Sequence, residues 1–301
     1  MSEKYLLILG SSSQQPTRKR NHGAYLFRWN EEGLLFDPGE GTQRQFIFAN
    51  VAPTTVNRIF VSHFHGDHCL GLGSMLMRLN LDKITHPVHV YYPASHQKNY
   101  EYLKYGCVYH QTIKIIEHPV SEDGLVEESD KFKIEAFFLD HGIDSIGWRI
   151  TEKDKIKFDK DKLKKNNIVG TDVREIEKKG SINIDGKTTK LEDVSWVKKG
   201  ETISVILDSR YTKKMVECAK DAKILLIEST YLDMHKQFAQ EYMHMTAKQA
   251  ATVAKDANVD QLVLTHFSAR YNDLDLFENE AKEIFKNVEI AIDFKKINFS
   301  Q

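Results

Sequence analysis

The motif HFHGDH, directly after the apolar run RIFVS, constrains the fold of this chain more than any other stretch. The run favours a β-strand, and His63, His65, Asp67 and His68 follow it within six positions. In an extended segment that leaves a strand, His63 and His65 fall on the same side and can bind one ion. The chain then turns at Gly66 towards a helix, where Asp67 and His68 can face a second ion.

Imidazole and carboxylate groups in this ratio suit zinc, with bonds of about 2.0–2.2 Å, and manganese or iron are possible substitutes. A site for two ions needs more ligands than this motif contains. Three residues of the right type follow apolar runs elsewhere: His141 after IEAFFLD, Asp208 after ISVIL and His266 after QLVLT. Strand ends place such side chains over a shared cleft. Because a carboxylate has two oxygens, Asp208 is suited to bridge two ions.

The other histidines, outside these motifs, lie in polar or aromatic surroundings. We expect surface or structural roles for His86, His89, His96, His110, His118 and His235.

The composition is typical of a globular protein, with 41% hydrophobic and 28% charged residues in 301. A formal net charge of −1 argues against a protein that coats nucleic acid indiscriminately, but it permits a local basic patch. The N-terminus does not resemble a signal peptide, and no apolar stretch reaches the roughly 18–20 residues that span a bilayer.

Three scattered cysteines, Cys69, Cys107 and Cys218, do not form a disulfide framework, which favours the cytoplasm. Cys69 lies beside the histidines, but no second cysteine accompanies it. We therefore expect a buried structural thiol.

Short apolar runs with turn residues at their ends predict strands, and helical patterns follow several of them. The stretch GLGSMLMRLNL has Leu72, Met75, Leu76 and Leu79 at helical spacing, and Thr246 is a suitable N-cap for TAKQAATVAKDA. Strands come first and then alternate with helices. This order predicts one mixed α/β domain over residues 1–301, with sheets in the centre and helices outside.

Residues 151–200 differ from the rest of the chain because they are dense in lysine. They contain 14 lysines and arginines against 10 acidic residues, a local net charge of +4. Their apolar residues are spaced too thinly to predict an independent core. Two interpretations stay open: a solvated charged insertion, or an arm that contacts a polyanion.

Several motifs together resemble one known family. HFHGDH and the later His, Asp and His resemble the metallo-β-lactamase superfamily. Within it, DPGEGTQRQ, IESTY, HMTAKQAA and LTHFSARY occur in the same order as in the ribonuclease Z family of tRNA 3′-processing endonucleases. The resemblance covers most of the chain. It implies an αββα sandwich with an inserted protruding arm, residues 151–200.

The resemblance also implies two Zn²⁺ ions per chain. One would be bound by His63, His65, His141 and Asp208, and the other by Asp67, His68, Asp208 and His266. It further implies that Asp37 is a buried residue behind these ligands, although a simple turn aspartate before Pro38 is equally compatible.

The implied reaction is hydrolysis of a phosphodiester, with two ions supplying an activated water and neutralising charge. Asp67 would accept the proton of that water as well as bind metal. Glu228 and His244 would form a pair in which the carboxylate orients the imidazole for proton donation to the departing 3′ oxygen.

The resemblance implies substrate contacts in two further motifs. In LTHFSARY, Arg270 would clamp a phosphate and Ser268 would contribute a hydroxyl. The segment PTRKRN would be a flexible basic loop that contacts the tRNA 3′ end, and its candidate contact residues are Arg18, Lys19, Arg20 and Asn21.

The implied partners are precursor tRNA, gripped by the arm at its elbow, and a second copy of the chain in a homodimer. The implied product is a tRNA with a 3′ hydroxyl. Three departures from the family pattern stand out: the arm tip NNIVGTDVREIEKKG lacks a Gly-Pro-rich segment, IEST replaces a His-Glu-Ala-Thr box, and LDSR surrounds the bridging aspartate. None removes a metal ligand.

Two other functions remain open at this level. A hydrolase of small or cyclic phosphodiesters would use the same metal site, since a metal site alone does not select a substrate. A non-catalytic tRNA-binding paralogue would be expected to have lost ligands.

Overall fold

The computed structural model describes residues 4–299, which fall into two compact units. The main unit consists of residues 4–128, 133–150 and 202–299. The inserted unit consists of residues 129–132 and 151–201. No helix among residues 4–299 is both long and apolar enough to span a bilayer.

The main unit contains two seven-stranded mixed sheets. In spatial order, the first sheet has β18 (Lys296–Asn298), β1 (Lys4–Gly10), β2 (Ala24–Trp29), β3 (Glu32–Phe36), β4 (Arg58–Phe60), β5 (Val88–Pro93) and β6 (Ile115–Val120). The second has β17 (Val288–Ile290), β16 (Gln261–Thr265), β15 (Ile224–Glu228), β14 (Thr202–Ile206), β9 (Asp144–Glu152), β8 (Phe132–Asp140) and β7 (Gly124–Glu128).

The parallel strands of each sheet matter most for function. Strands β3 to β6 pair in parallel in the first sheet, and β14 to β17 pair in parallel in the second. Buried residues fill β14, β15 and β16 at every position, as is usual for parallel strands covered on both faces. The loops after parallel strands meet at one edge of a sheet, which is a common place for a site.

Helices lie outside the two sheets. The helices of the main unit are α1 (Thr42–Phe48), α2 (Gly66–Cys69), α3 (Leu72–Leu81), α4 (Gln97–Tyr105), α8 (Lys214–Ala219), α9 (Lys236–Glu241), α10 (Ala247–Asp256) and α11 (Asp275–Lys282), with short 3₁₀ turns at Pro53–Thr55, Ala94–His96 and Asp233–His235. Helices α1, α3 and α4 share a core with the first sheet, and α8, α10 and α11 contact the second. The predicted αββα order of layers is therefore confirmed.

Two sequence-based helix predictions are also confirmed. The four apolar residues predicted to form one face of α3 are all buried in the core beneath the first sheet. Thr246 is the N-cap of α10: its side chain accepts a hydrogen bond from the backbone N–H of Gln249, whose own side chain accepts one from the N–H of Thr246. This reciprocal pair is a capping box.

An aromatic stack joins the two sheets. The ring centroid of Phe60, in β4, is 4.6 Å from the centroids of both Phe36 and Tyr91, its neighbours in the first sheet. Trp148 of β9 meets the Phe60 ring edge-on at 5.3 Å, from the second sheet. Phe60 is fully buried, and it ends the strand that leads into the histidine motif. The stack therefore anchors that motif to the core.

Of the three cysteines, Cys69 and Cys218 are buried and Cys107 is exposed, and all are free thiols. Cys69 donates a hydrogen bond to the carbonyl of His65 at 3.2 Å, and burial raises the pKa of its thiol to about 12. A protonated, buried thiol is the structural role expected from the sequence.

The inserted unit has its own small core, contrary to the expectation from its composition. It contains β10 (Lys155–Phe158), α5 (Lys160–Lys165), α6 (Thr171–Lys179), β11 (Ser181–Ile184), β12 (Lys187–Lys190), α7 (Leu191–Val194) and β13 (Ser195–Lys198). Ile168, Ile176, Ile182 and Val194 are buried together. They come from the segment before α6, from α6 itself, from β11 and from α7, which pack against one another.

The aromatic stack generates a prediction about stability. Phe60→Ala should lower the free energy of unfolding by about 3–5 kcal/mol, because it removes a fully buried ring and leaves a cavity. Leu81→Ala is the matched control, since Leu81 is 74% exposed and should change stability by less than about 0.5 kcal/mol. Urea denaturation of the metal-loaded proteins measures both. Equal losses for the two variants would contradict the anchoring role of Phe60.

Candidate metal centre

Four of the seven predicted ligands form a first group at the strand ends. His63 and His65 follow β4, His141 follows β8, and Asp208 lies two residues beyond β14. His65 Nδ1 lies 3.1 Å from His63 Nε2 and 3.2 Å from His141 Nε2. Asp208 Oδ2 lies 3.5 Å from His141 Nε2 and 3.8 Å from His63 Nε2. Four ligand atoms around one point match the donor set of a zinc site.

The second group shares Asp208 with the first. His68 Nε2 and His266 Nε2 lie 3.1 Å apart, and Asp67 Oδ2 lies 3.4 Å from each. Asp208 Oδ1 lies 3.1 Å from His266 Nε2 and 3.3 Å from His68 Nε2. Asp208 therefore directs one oxygen to each group. No well-aligned hydrogen-bond donor among the described residues reaches its buried Oδ1.

The outer nitrogens of four of the five imidazoles are held by protein groups, so that the inner nitrogens face the two groups. Each pair consists of an Nδ1 and an oxygen: His63 with Ser62 Oγ at 2.9 Å, His68 with Asp37 Oδ2 at 2.7 Å, His141 with the Met243 carbonyl at 2.9 Å, and His266 with Thr230 Oγ1 at 3.0 Å. Metal-binding histidines are usually oriented by such a partner on the other ring nitrogen. This feature and the split carboxylate fit a pair of divalent cations.

The electrostatics of the centre also favour cations. Burial, together with the neighbouring His68, holds the pKa of His63 well below its ordinary value, so this imidazole is neutral and can bind metal. Burial opposes a charge on His68, but Asp208 and Asp67 raise its pKa well above the ordinary range. The two carboxylates therefore attract positive charge strongly to this point.

Asp37 lies behind the ligands, one of the two roles considered for it. Its Oδ1 accepts a hydrogen bond from the backbone N–H of Ser62 at 2.6 Å, and its Oδ2 contacts His68 and the Ser62 hydroxyl. Asp37 and His266 both have positive φ, 42° and 60°. Such backbone strain is tolerated where surrounding contacts over-determine the position, as at binding sites.

Glu228 and His244 form a pair beside the centre. His244 Nδ1 lies 3.1 Å from Glu228 Oε1 and 3.9 Å from Asp208 Oδ2. Glu228 is fully buried and accepts hydrogen bonds from the N–H of Ser209 at 2.7 Å, the hydroxyl of Thr230 at 2.6 Å and the N–H of Met245 at 3.2 Å. Burial disfavours a charged His244, but Glu228 and Asp208 raise its pKa to about 9.

A cavity of about 740 Å³ opens over these groups. Its floor includes Asp67, Asp208 and His244, and its rim includes Ser268 and Arg270. The motifs HMTAKQAA and LTHFSARY, which contain His244 and Arg270, therefore border the same space.

The predicted basic loop is only partly placed as expected. Arg18 and Lys19 are exposed, but they do not line the cavity, which Gln14 and Gln15 line instead. Arg20 is buried, with only 8% of its surface exposed. This burial argues against the predicted contact between Arg20 and RNA.

The contacts of Arg20 and Asn21 explain this difference. The Arg20 guanidinium donates to the carbonyls of Tyr271 at 3.0 Å and Ser268 at 3.2 Å, so it supports the rim rather than facing solvent. The backbone N–H of Asn21 donates to Asp293 at 2.7 Å, and its side chain donates to the Glu40 carbonyl at 2.8 Å. The run of basic residues in the sequence predicts one exposed surface. The fold decides which of these side chains are buried, and Arg20 is one of them.

Arg270 lies against aromatic rings at the rim. Its guanidinium carbon is 4.5 Å from the ring centroid of Phe238 and 5.4 Å from that of Tyr231. Such cation–π contacts hold the guanidinium while its N–H groups remain available to an anion.

Three residues of the site were missed from the sequence: Ser62, Thr230 and Met243, which orient His63, His266 and His141. Thr230 also donates to Glu228, so it connects the Glu228–His244 pair to His266. Its position two residues after Glu228, at the end of a strand, was a usable signal. Met243 acts through its backbone carbonyl, for which side-chain patterns give no signal.

Comparison with known proteins agrees with this geometry. A profile described as the metallo-beta-lactamase superfamily matches residues 18–155. A ribonuclease Z of Protochlamydia amoebophila is 60% identical over 303 residues, covering 99% of both chains. A ribonuclease Z of Chlamydia pneumoniae is 58% identical over 299 residues, covering 99% of this chain and 97% of that protein.

Solved structures show the same fold. Human tRNase Z, short form, aligns with a TM-score of 0.72 at 24% identity, covering 99% of this chain and all of that chain. A long-form RNase Z from yeast aligns with a TM-score of 0.70 at 18% identity, covering 99% of this chain and 42% of that chain.

Identity of about 60% along the full length, together with two groups of ligands that share Asp208, leads to one assignment. The chain belongs to the ribonuclease Z family of the metallo-β-lactamase superfamily.

Proposed function

We propose that this protein is a zinc-dependent endoribonuclease that removes the 3′ trailer of precursor tRNA and leaves a 3′ hydroxyl. The observation that carries the proposal is the shared carboxylate of Asp208 beside the Glu228–His244 pair, in a chain that is 60% identical to a ribonuclease Z. Family membership supports the reaction, and the geometry supports roles for individual residues.

The two groups of ligands would hold two divalent ions, which we propose to be Zn²⁺. When bound, they would supply an activated water and neutralise charge on the reacting phosphate. Asp67 lies at the cavity wall with Oδ2 directed at the second group, so it is placed to bind an ion and accept a proton. The outer partners of the imidazoles keep the ligand atoms in position before substrate binds.

His244 is placed to donate a proton to the departing oxygen. Its Nδ1 is held by Glu228, which leaves the other ring nitrogen for the cavity that His244 lines. Glu228 is fixed by three further hydrogen-bond donors, so the pair has little freedom to reorient. A positioned general acid of this kind typically contributes about 10²–10⁴-fold to a rate.

Arg270 and Ser268 would contact the phosphates next to the bond that is cut. The guanidinium lies at the cavity rim on Phe238, and Arg20 supports the rim from behind. Arg18 and Lys19 remain candidates for contacts with RNA outside the cavity, because both are exposed.

The inserted unit would bind the tRNA elbow through its lysines. Lys160, Lys162, Lys164 and Lys165 are all exposed on α5. Double-stranded RNA is recognised through phosphates and shape, which is a task for such a basic surface. We further propose a homodimer, which rests on the family resemblance, and a cytoplasmic location, which rests on three cysteines that are all free thiols.

The alternatives have less support. Each of the seven ligand positions has a residue of a metal-binding type, and the seven side chains converge. This argues against a non-catalytic paralogue. Relatives of matching length are named ribonuclease Z, which argues against an enzyme of small phosphodiesters.

Removing the Asp67 carboxylate should stop catalysis without stopping binding. We expect Asp67→Ala to reduce single-turnover cleavage of precursor tRNA below detection, with tRNA affinity in gel shifts largely intact. Asp256→Ala is the control, since this aspartate is exposed at the end of α10. Cleavage by Asp67→Ala at the native rate would show that the proposed mechanism is wrong.

The acid–base pair gives a second expectation. His244→Ala should lower the single-turnover rate by about 10²–10⁴-fold, because the variant lacks the imidazole that is proposed to donate the proton. The metal content, measured by atomic emission, should be unchanged because His244 belongs to neither ligand group. Loss of metal in step with activity would instead make His244 a structural part of the metal centre.

The inserted unit gives a third expectation. A triple variant should weaken tRNA binding by roughly tenfold and reduce its salt dependence, because phosphate contacts are lost. It replaces three lysines of α5 with glutamine: Lys162, Lys164 and Lys165. Hydrolysis of a small phosphodiester should be unchanged. The matched control replaces three exposed lysines of the main unit, Lys98, Lys220 and Lys255. Equal effects of both triple variants on tRNA binding would refute a specific role for the inserted unit.

A further inference from the structure

Three more side chains with metal-binding atoms converge outside the metal centre: His89, His118 and Glu127. His89 Nδ1 lies 2.9 Å from His118 Nε2. Glu127 Oε2 lies 3.9 Å from His89 Nδ1 and 4.0 Å from His118 Nε2. Nothing in the sequence grouped these residues, because they are dispersed over 39 positions and form no motif.

The sheet positions of these residues hold them in place. His89 lies on β5, His118 on β6 and Glu127 on β7. In the register of β5 and β6, Tyr91 pairs with His118, and the two rings stack with centroids 4.3 Å apart. His89 precedes Tyr91 by two residues and therefore lies on the same face of the strand. The two imidazoles meet because of backbone register, not because of flexible loops.

The cluster is accessible from solvent on one side. The side chains of His89, His118 and Glu127 are 21%, 22% and 17% exposed. An ion could therefore enter, and one coordination position would remain for water.

The charge states suit a cation. Burial and the neighbouring Arg58 lower the pKa of His89, and burial and His89 lower that of His118, so both imidazoles are neutral at pH 7. Burial opposes ionisation of Glu127, but a hydrogen bond from Tyr91 and the charge of Arg58 lower its pKa. Two neutral imidazoles and an ionised carboxylate make a ligand set that zinc accepts.

Lys114 also exerts a positive charge on this cluster. Arg58 is the positive group that contacts it, and the charge of Arg58 is compensated. Its Nη1 lies 2.5 Å from Glu32 Oε2, and its Nη2 lies 3.3 Å from Glu127 Oε1. Two carboxylates therefore oppose one guanidinium. Oε1 of Glu127 contacts Arg58, whereas its Oε2 faces the imidazoles and accepts a hydrogen bond from the hydroxyl of Tyr91.

The separations are close to those that a tetrahedral ion requires. Zinc bonds of about 2.0–2.2 Å imply ligand atoms about 3.3–3.6 Å apart. The 2.9 Å between the two nitrogens and the 3.9–4.0 Å to the carboxylate differ from this by only a few tenths of an ångström. The proposed catalytic ligands spread over a similar range, 3.1–3.8 Å.

We propose that His89, His118 and Glu127 form an additional site for Zn²⁺ or a similar divalent transition metal, separate from the catalytic centre. Strand β6 is the last strand of the first sheet and β7 the last strand of the second. An ion bound by His118 and Glu127 would connect these two edge strands. The site is structural: it stabilises the sandwich and takes no part in cleavage.

The competing explanation is a simple hydrogen bond, in which one imidazole donates to the other and no metal binds. Native mass spectrometry of the holoenzyme in micromolar Zn²⁺ separates the two. We expect His89→Gln and His118→Gln each to bind one zinc ion fewer per chain than the wild type. His110→Gln is the matched control, since His110 is exposed and belongs to none of the ligand groups found among residues 4–299. Equal zinc counts in all four proteins would overturn the proposal.

This comparison does not depend on how many ions the catalytic centre holds, because only the difference between matched proteins is used. Cleavage of precursor tRNA at the wild-type rate verifies that each variant is folded and that its catalytic metals are bound. As a second measurement, added Zn²⁺ should raise the melting temperature of the holoenzyme by about 2–4 °C in the wild type and in His110→Gln. The same rise in His89→Gln and His118→Gln would also contradict the site.

Discussion

The carboxylate of Asp208 is the interaction on which the rest of the site depends. Its two oxygens face two different sets of imidazoles, at 3.1–3.3 Å on one side and 3.5–3.8 Å on the other. Taking such a carboxylate out of water is costly unless opposite charge compensates it. Divalent cations provide that compensation, and the buried position therefore makes sense only as part of a charged centre. The surrounding fold keeps this carboxylate and its partners in register.

The layers around the centre explain how that register is maintained. The ligands follow one strand of the first sheet and three strands of the second, so residues separated by up to 203 positions, from His63 to His266, reach one point. The aromatic stack of Phe60 with Trp148 holds the histidine motif against the second sheet. Behind four of the five imidazoles, two hydroxyls, one carbonyl and Asp37 set the direction of the ring. Rigid support of this kind prepares the ligand atoms before substrate arrives.

We propose that substrate selection and metal chemistry depend on different parts of the molecule. The cavity rim presents Arg270 on aromatic rings, and the inserted unit presents lysines on a small core of its own. A metal centre that hydrolyses phosphodiesters accepts many substrates in principle, so the surfaces around it decide which one is cut. Arg20 illustrates this division: it belongs to a basic run in the sequence, but in the fold it supports the rim through two carbonyls.

Local signals in the sequence predicted the candidate ligands of the histidine motif and of the strand ends, the apolar face of α3 and the Thr246 cap. Each of these signals depends on periodicity or on residue order within a few positions. Tertiary structure decided the rest. Which oxygen of Asp208 faces which group, the burial of Arg20 and the core of the inserted unit all depend on contacts between distant segments. The meeting of His89, His118 and Glu127 likewise follows from strand pairing, which no local pattern encodes.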